Sequence, residues 1–170
     1  KAVEDTTFYR FNRLVSLNEV GGDPVRFGVT LAAYHDFNQS RLPWFAQAMN
    51  ATPTHDTKRS EDVRARINVL SEVPTEWRKR IQAWARWNRR LKTTVNGVEA
   101  PSRNAEYLLY QTLVGTWPDT IPTGTARQKY VQRMQGYMVK VIRESKVYTS
   151  WVNPHAAYEA ATTRFVEKLF

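Results

Sequence analysis

Apolar residues recur at helical spacing along most of this chain. The clearest pattern covers residues 126–146, where apolar side chains fall three and four positions apart: Tyr130, Val131, Met134, Tyr137, Met138, Val141 and Ile142. A second pattern follows Pro74, a residue that suits the first turn of a helix. Its apolar positions define one face, which we expect to be buried: Trp77, Ile81, Trp84, Trp87 and Leu91.

Turn and capping residues delimit the other predicted elements. The predicted helices are 29–42, ended by Pro43; one capped by Ser60; one from Asn104, ended by Trp117-Pro118; and a last one opened by Asn153-Pro154. The first contains a His35-Asp36 pair that we interpret as structural. The apolar residues 44–49 after it are expected to end a buried element, although Trp44, beside Pro43, is also a candidate to face a ligand. Asn96-Gly97 marks a turn. With at most one or two short strands, the pattern predicts a mainly α-helical, bundle-like fold.

Composition limits the classes of protein that fit this pattern. The chain has 170 residues, of which 42% are hydrophobic and 24% charged, which is typical of one globular domain. No apolar run reaches 18 residues, so we expect no membrane association. The chain has no cysteine, which excludes disulfides and fits a cytoplasmic protein.

The net charge of +9 raises an alternative function, nucleic-acid binding. A basic cluster on the helix after Pro74 would form the binding surface: Arg78, Lys79, Arg80, Arg86, Arg89, Arg90 and Lys92. Most of these cations project away from the tryptophan stripe, as on the solvated face of any amphipathic helix. We therefore keep a nucleic-acid module as the alternative and expect no nucleic-acid partner.

A short polar loop before the predicted Ser60 helix contains the strongest candidates for functional side chains: His55, Asp56, Lys58 and Arg59. Loops that precede a helix often carry catalytic side chains, because the flanking elements fix the backbone while the side chains stay free. Any solvent-exposed connection has a similar composition. From the residues alone, a catalytic loop and an ordinary surface loop both remain open.

Residues 54–66 resemble the corresponding segment of maltooligosyl trehalose synthases, a branch of the α-amylase superfamily (glycoside hydrolase family 13). Other segments resemble that family in the same order: Val3–Arg10, Asn12–Leu14, Leu17–Pro24, Leu70–Glu72, Glu76–Trp77 and Thr149–Trp151. Several motifs in one order are far more specific than any single one, and they extend from the first residues nearly to the last.

The resemblance implies roles for the loop residues. In the family, a histidine–aspartate pair after the seventh barrel strand supplies the third catalytic carboxylate and a neighbouring donor, which assigns these roles to Asp56 and His55. Negative charge there stabilises the oxocarbenium-like sugar more than the neutral ground state. Lys58 and Arg59 are candidates for binding sugar hydroxyls, although a solvated helix start explains them equally well.

Three residues in the other family-like segments are further substrate-binding candidates: Tyr9, Arg13 and Asn18. Arg13 is equally well explained as an ion-pair partner of Glu19.

The three histidines have no metal-ligand spacing and no glycine-rich phosphate loop is present, so we predict neither a metal nor a cofactor.

The resemblance also implies an activity for the parent enzyme. The family moves the reducing-end glucose of a maltooligosaccharide from an α-1,4 to an α-1,1 linkage by intramolecular transfer. We find no segment resembling its nucleophile or acid/base motifs. Because the chain begins with Lys1 inside a family motif, we expect an internal fragment of a (β/α)8-barrel enzyme, inactive alone, with the remaining polypeptide as its partner. Residues 1–72 would belong to the barrel edge and residues 73–170 to a helical insert.

Overall fold

A computed structural model describes residues 3–170 and is mainly helical, as predicted. In this range the α-helices are α1 (Val3–Thr7), α2 (Leu31–Phe45), α3 (Glu61–Asn68), α4 (Pro74–Asn88), α5 (Arg103–Thr116), α6 (Gly124–Ser145) and α7 (Ala156–Lys168). Single 3-10 turns occur at Val15–Leu17, His55–Thr57, Val69–Ser71 and Arg89–Leu91. None of the helices described is both long and apolar enough to cross a lipid bilayer.

Two short strands, β1 (Thr93–Val95) and β2 (Val98–Ala100), form an antiparallel hairpin between α4 and α5. Asn96 and Gly97 connect them with φ angles of 50° and 81°. Two consecutive positive φ angles match the right-handed twist of a hairpin, and asparagine followed by glycine tolerates them best. The turn predicted at Asn96-Gly97 is confirmed.

The core forms where α3 packs on α5 and α6 packs on α7. Each helix contributes fully buried side chains, among them Ile67, Leu108, Met138 and Phe165. Phe8, Tyr9 and Val15 from the N-terminal segment join the same cluster. The core therefore draws residues from both sides of position 72. The division into 1–72 and 73–170 stays a prediction, and its first two residues lie outside the described residues.

Buried amides fix the N-terminal segment to α5. The Gln111 side chain accepts a hydrogen bond from the Val15 backbone nitrogen (2.9 Å) and donates one to the Asn12 carbonyl (2.8 Å). Asn18 donates to the Phe8 and Phe11 carbonyls at 3.2 and 2.8 Å. Because buried backbone groups are costly to leave unpaired, these amides determine the path of residues 8–18.

Helix α2 differs from the prediction in its bounds. It begins after Thr30, whose hydroxyl accepts a hydrogen bond from the Ala33 nitrogen (3.2 Å), and it continues past Pro43 to Phe45. None of its residues is buried. The expectation that residues 44–49 are buried is wrong, since all six are exposed. A run of apolar residues favours burial, but the residues are buried only where another part of the protein packs against them.

Helix α4 begins at Pro74 as predicted, but its tryptophan face is only partly buried. Trp77 and Trp84 pack against Tyr107 and Tyr110 of α5. Trp87 is 63% exposed, so its predicted burial is wrong. At 3.6 residues per turn, Trp87 lies roughly 80° around the helix from Trp77, at the margin of the stripe.

Two helix caps also differ from the prediction. Ser102 caps α5, because its hydroxyl accepts from the Ala105 nitrogen (3.3 Å), whereas Asn104 donates to the Arg10 carbonyl (2.9 Å). His155 precedes α7, and its Nδ1 accepts from the Tyr158 nitrogen (3.3 Å).

Candidate functional site

The loop before α3 is held in one conformation by its own threonines. Residues His55–Thr57 form a 3-10 turn closed by a capping box, in which the Thr54 nitrogen donates to the Thr57 hydroxyl (2.7 Å). Thr57 is 1% exposed and points into the protein. His55 and Asp56 therefore face outward, and Ser60 takes the N-cap position of α3 as predicted.

The Asp56 carboxylate lies at the surface beside an ammonium group. Its side chain is 62% exposed, and its Oδ1 lies 3.3 Å from Lys58 Nζ. The same Nζ lies 3.2 Å from an Asp5 oxygen, and the Lys58 side chain is only 17% exposed. Lys58 reaches this position with a left-handed backbone (φ 66°) and lies over the Phe8 ring, 5.9 Å from its centroid. One cation thus bridges two carboxylates.

The two carboxylates change the acidity of the ammonium. Partial burial of Lys58 opposes its charge, but hydrogen bonds to Asp5 and Asp56 outweigh this effect and raise the pKa of the Lys58 ammonium above its ordinary value. Lys58 therefore stays charged across the physiological pH range.

Arg59 points into the protein and anchors the loop. Its guanidinium donates to the Tyr137 hydroxyl (3.0 Å) on α6 and to the Val15 carbonyl (3.4 Å). These bonds connect the loop to α6 and to the N-terminal segment. The role of Arg59 in binding sugar stays a prediction.

The other predicted site residues lie in three different environments. Tyr9 is buried near Arg59 and Tyr137, and desolvation by burial, followed by the nearby Tyr137 and Glu144, raises the pKa of its phenol to about 12. Asn18 is 2% exposed and bonded to the backbone as described above. Arg13 is exposed, lies 5.9 Å from the Phe11 ring centroid, and lines a separate groove.

The structure therefore brings four of the seven predicted site residues together. His55, Lys58 and Arg59 line an open depression of about 330 Å³ whose rim also includes Lys140, and Asp56 lies beside Lys58. The ion-pair partner of Glu19 is Arg64 (2.9 Å) and not Arg13. Neither Asp5 nor Lys140 was among the predicted site residues. Asp5 lies in the family-like segment Val3–Arg10, and that segment was the available signal for it.

The basic cluster proposed for nucleic-acid binding is partly neutralised. The Lys92 side chain is 5% exposed and lies 2.7 Å from Glu106 and 3.4 Å from Glu99. Arg80 pairs with Glu76 at 2.7 Å, and Arg89 lies 3.8 Å from Glu99. This basic cluster thus presents less free positive charge than the sequence suggests.

Comparison with known proteins shows which proteins this chain is similar to. No protein-family model matches the chain. A Mycobacterium tuberculosis protein named as a maltooligosyl trehalose synthase is 44% identical over 162 residues, which cover 94% of this chain and 19% of that protein. The solved structure of a Sulfolobus tokodaii hypothetical maltooligosyl trehalose synthase superposes with a TM-score of 0.80 at 39% identity, covering 99% of this chain and 21% of that one.

A second solved structure agrees. The maltooligosyltrehalose synthase from Arthrobacter ramosus superposes with a TM-score of 0.77 at 36% identity, over 97% of this chain and 19% of that one. The chain spans about a fifth of the length of the relatives it matches. By sequence and by fold, this chain therefore matches one segment of the maltooligosyl trehalose synthases, about a fifth of their length.

Proposed function

We propose that this chain is the part of a maltooligosyl trehalose synthase that presents the Asp56 carboxylate to the reducing-end sugar. The reaction converts the terminal α-1,4 linkage of a maltooligosaccharide into α-1,1. The observation that carries the proposal is the placement of Asp56, outward-facing and beside Lys58 on a loop that Thr57 and Arg59 anchor from within. Such anchoring keeps a charge in place without reorganisation during the reaction.

The chemistry requires negative charge at that point. Retaining glycosyl transfer passes through an oxocarbenium-like state, with positive charge developing on the sugar ring. A fixed carboxylate stabilises that state more than the neutral substrate, so it accelerates the reaction and does not merely bind sugar. In this proposal the nucleophile and the acid/base come from the rest of a longer polypeptide, which is the partner of this segment.

The neighbouring side chains would orient the sugar. His55 is exposed beside Asp56 and lies on the rim of the depression with Lys58, so both offer donors to hydroxyl groups. The burial of Tyr9 and Asn18 favours a supporting role for both side chains. Arg13, in its separate groove, would reach only a more distant part of the substrate.

Product analysis tests the proposed reaction. The longer polypeptide that carries this segment is incubated with maltopentaose, and the anomeric protons are followed by NMR. Reducing-end signals should disappear while α-1,1 signals appear, with little free glucose. Release of glucose and shorter maltooligosaccharides alone would contradict the proposal and indicate a hydrolase.

The isolated chain provides the complementary experiment. Residues 1–170 alone should convert no maltooligosaccharide beyond a boiled sample, because in this proposal the two other catalytic carboxylates belong to the remaining polypeptide. Formation of a non-reducing trehalose end by the purified chain would contradict that assignment.

A further inference from the structure

Lys58 poses an electrostatic problem for the proposed site. An ammonium group 3.3 Å from the Asp56 carboxylate offsets much of its negative charge. A neutral pair would stabilise a developing positive charge poorly. The structure contains a second carboxylate, Asp5, at 3.2 Å from the same ammonium. Asp5 therefore shares the Lys58 ammonium with Asp56.

Asp5 is well placed to hold the ammonium because its own helix is anchored. The carboxylate of the preceding Glu4 accepts a hydrogen bond from the Gly21 nitrogen (2.8 Å), and the Thr6 hydroxyl accepts one from Lys146 Nζ (3.0 Å). Phe8, directly after α1, is buried in the core. The Asp5 side chain is 28% exposed, so solvent screens its contact with Lys58 only partly.

We propose that Asp5 is a positioning residue of the glycosyl-transfer site, which shares the Lys58 ammonium with Asp56 and so prevents that ammonium from pairing fully with the Asp56 carboxylate. The inference rests on the proposed function of Asp56. An ammonium has three N–H donors, and among the described residues those of Lys58 are directed at Asp5 and Asp56. One donor therefore remains for a hydroxyl of the bound sugar, in an orientation that the two carboxylates fix.

The kinetic test uses the longer polypeptide with Asp5→Asn, which preserves shape and removes charge. We expect kcat to fall about 10- to 100-fold with KM changed less than about threefold, because an ammonium no longer held by Asp5 pairs more fully with Asp56 and offsets the charge that stabilises the transition state. Glu4→Gln is the matched control on the same helix, since its amide oxygen still accepts from Gly21, and it should leave kcat unchanged. Equal kcat values for the two variants would overturn the proposal.

A double variant tests whether Asp5 acts through Lys58. Lys58→Met removes the ammonium, and adding Asp5→Asn to it should reduce kcat no further than about twofold. If the two reductions multiply instead, Asp5 acts by another route and the proposal fails.

A chemical measurement separates this proposal from the proposed function. Competitive acetylation of the full polypeptide, read by mass spectrometry at Lys58 over a range of pH, reports the pKa of its ammonium without turnover. Asp5→Asn should lower that pKa and increase the reactivity of Lys58 at pH 9, whereas Glu4→Gln should not. Unchanged reactivity would overturn the role of Asp5, even if Asp56 proves essential.

Discussion

At the scale of single side chains, neighbouring residues of the loop 54–59 differ in whether they are buried or exposed. Thr57 is 1% exposed, whereas the side chain of Asp56, one position earlier, is 62% exposed. This alternation results from the Thr54–Thr57 capping box, which turns one threonine inward. Residues 54–59 are polar throughout, so the hydrophobic pattern could not predict which of these side chains point inward. The resemblance supplied the candidates, and only coordinates separate the outward Asp56 from the inward Arg59.

Asn18 provides a test between a structural and a sugar-binding role. Its amide donates to two buried carbonyls, so Asn18→Ala should lower the free energy of unfolding by about 1–3 kcal/mol. Asn38→Ala is the control, because Asn38 donates to one carbonyl on exposed α2 and should cost about 0.5 kcal/mol or less. Urea denaturation measures both. An unchanged unfolding free energy combined with a raised KM would instead indicate sugar contact by Asn18.

Glu159 gives the fold a defined pH dependence. Arg143 donates to both of its oxygens, at 2.8 and 2.6 Å, and the Thr149 hydroxyl donates to it at 2.6 Å. The bonds from Arg143 hold the pKa of Glu159 below its ordinary value of 4.5, although burial opposes the shift. A lowered folded-state pKa adds stability that is present above about pH 4.5 and is lost as pH falls through the folded value.

The corresponding variant is Glu159→Gln. It should lower the free energy of unfolding by about 1–2 kcal/mol at pH 7, and the difference from wild type should shrink as pH falls below 4.5. Denaturant titrations at several pH values measure it. A difference that stays constant from pH 7 down to pH 3 would contradict the role assigned to the Glu159 charge.

At the scale of elements, a glycine determines how closely α3 approaches α5. A Cβ at Gly115 would lie 2.8 Å from Val63 Cγ1 and 3.0 Å from two Ile67 side-chain atoms, whereas a Cβ at Gly136 on α6 would meet nothing within 4 Å. Gly115→Ala should therefore lower the free energy of unfolding by about 1–2 kcal/mol through overpacking.

Gly136→Ala is the matched comparison in a second helix. It should raise the free energy of unfolding by about 0.5–1 kcal/mol, because alanine favours the helix and no neighbour resists it. Thermal denaturation gives both values, and the two substitutions should shift Tm in opposite directions. Stabilisation by both would contradict the close α3–α5 packing.

A buried ion pair connects the end of α4 and the hairpin to α5. Lys92 lies 2.7 Å from Glu106, and both side chains are at most 5% exposed. Lys92→Met would leave the Glu106 charge buried without its cation and should cost about 3–5 kcal/mol. Arg89→Met removes an exposed contact to Glu99 at 3.8 Å and should cost less than about 1 kcal/mol. Similar losses in denaturant titrations of the two variants would contradict this distinction.

The helices also show how much of the fold hydrophobic periodicity predicts. Helix α6 was predicted nearly to its bounds because its apolar positions contact α7 and the core, so pattern and burial agree. Trp87 belongs to a similar pattern but has no covering partner among the described residues, whereas the apolar residues of α2 do not gather on one face and none of its residues is buried. Periodicity predicts which face of a helix is apolar, but it does not predict which element packs against that face. The caps at Ser102 and His155 were missed because several polar residues near each helix start are able to cap.

At the scale of the whole molecule, exposed apolar side chains concentrate in one segment, residues 25–49. This segment carries large exposed apolar groups: Val25, Phe27, Val29, Leu31, Tyr34, Phe37, Leu42, Trp44, Phe45 and Met49. Extended apolar surfaces of this kind usually mark interaction sites. Since the chain spans about a fifth of its relatives' length, our proposal that it works within a longer polypeptide accounts for this surface.

The central claim is that the Asp56 carboxylate stabilises the reacting sugar, and one kinetic comparison tests it most directly. In the longer polypeptide, Asp56→Asn is measured against Asp36→Asn, which changes the other His-Asp pair of the chain, on exposed α2. With Tm unchanged in both, kcat/KM for α-1,1 transfer should fall at least about 100-fold for Asp56→Asn and less than about twofold for Asp36→Asn. An Asp56→Asn enzyme with nearly wild-type kcat/KM would contradict the claim.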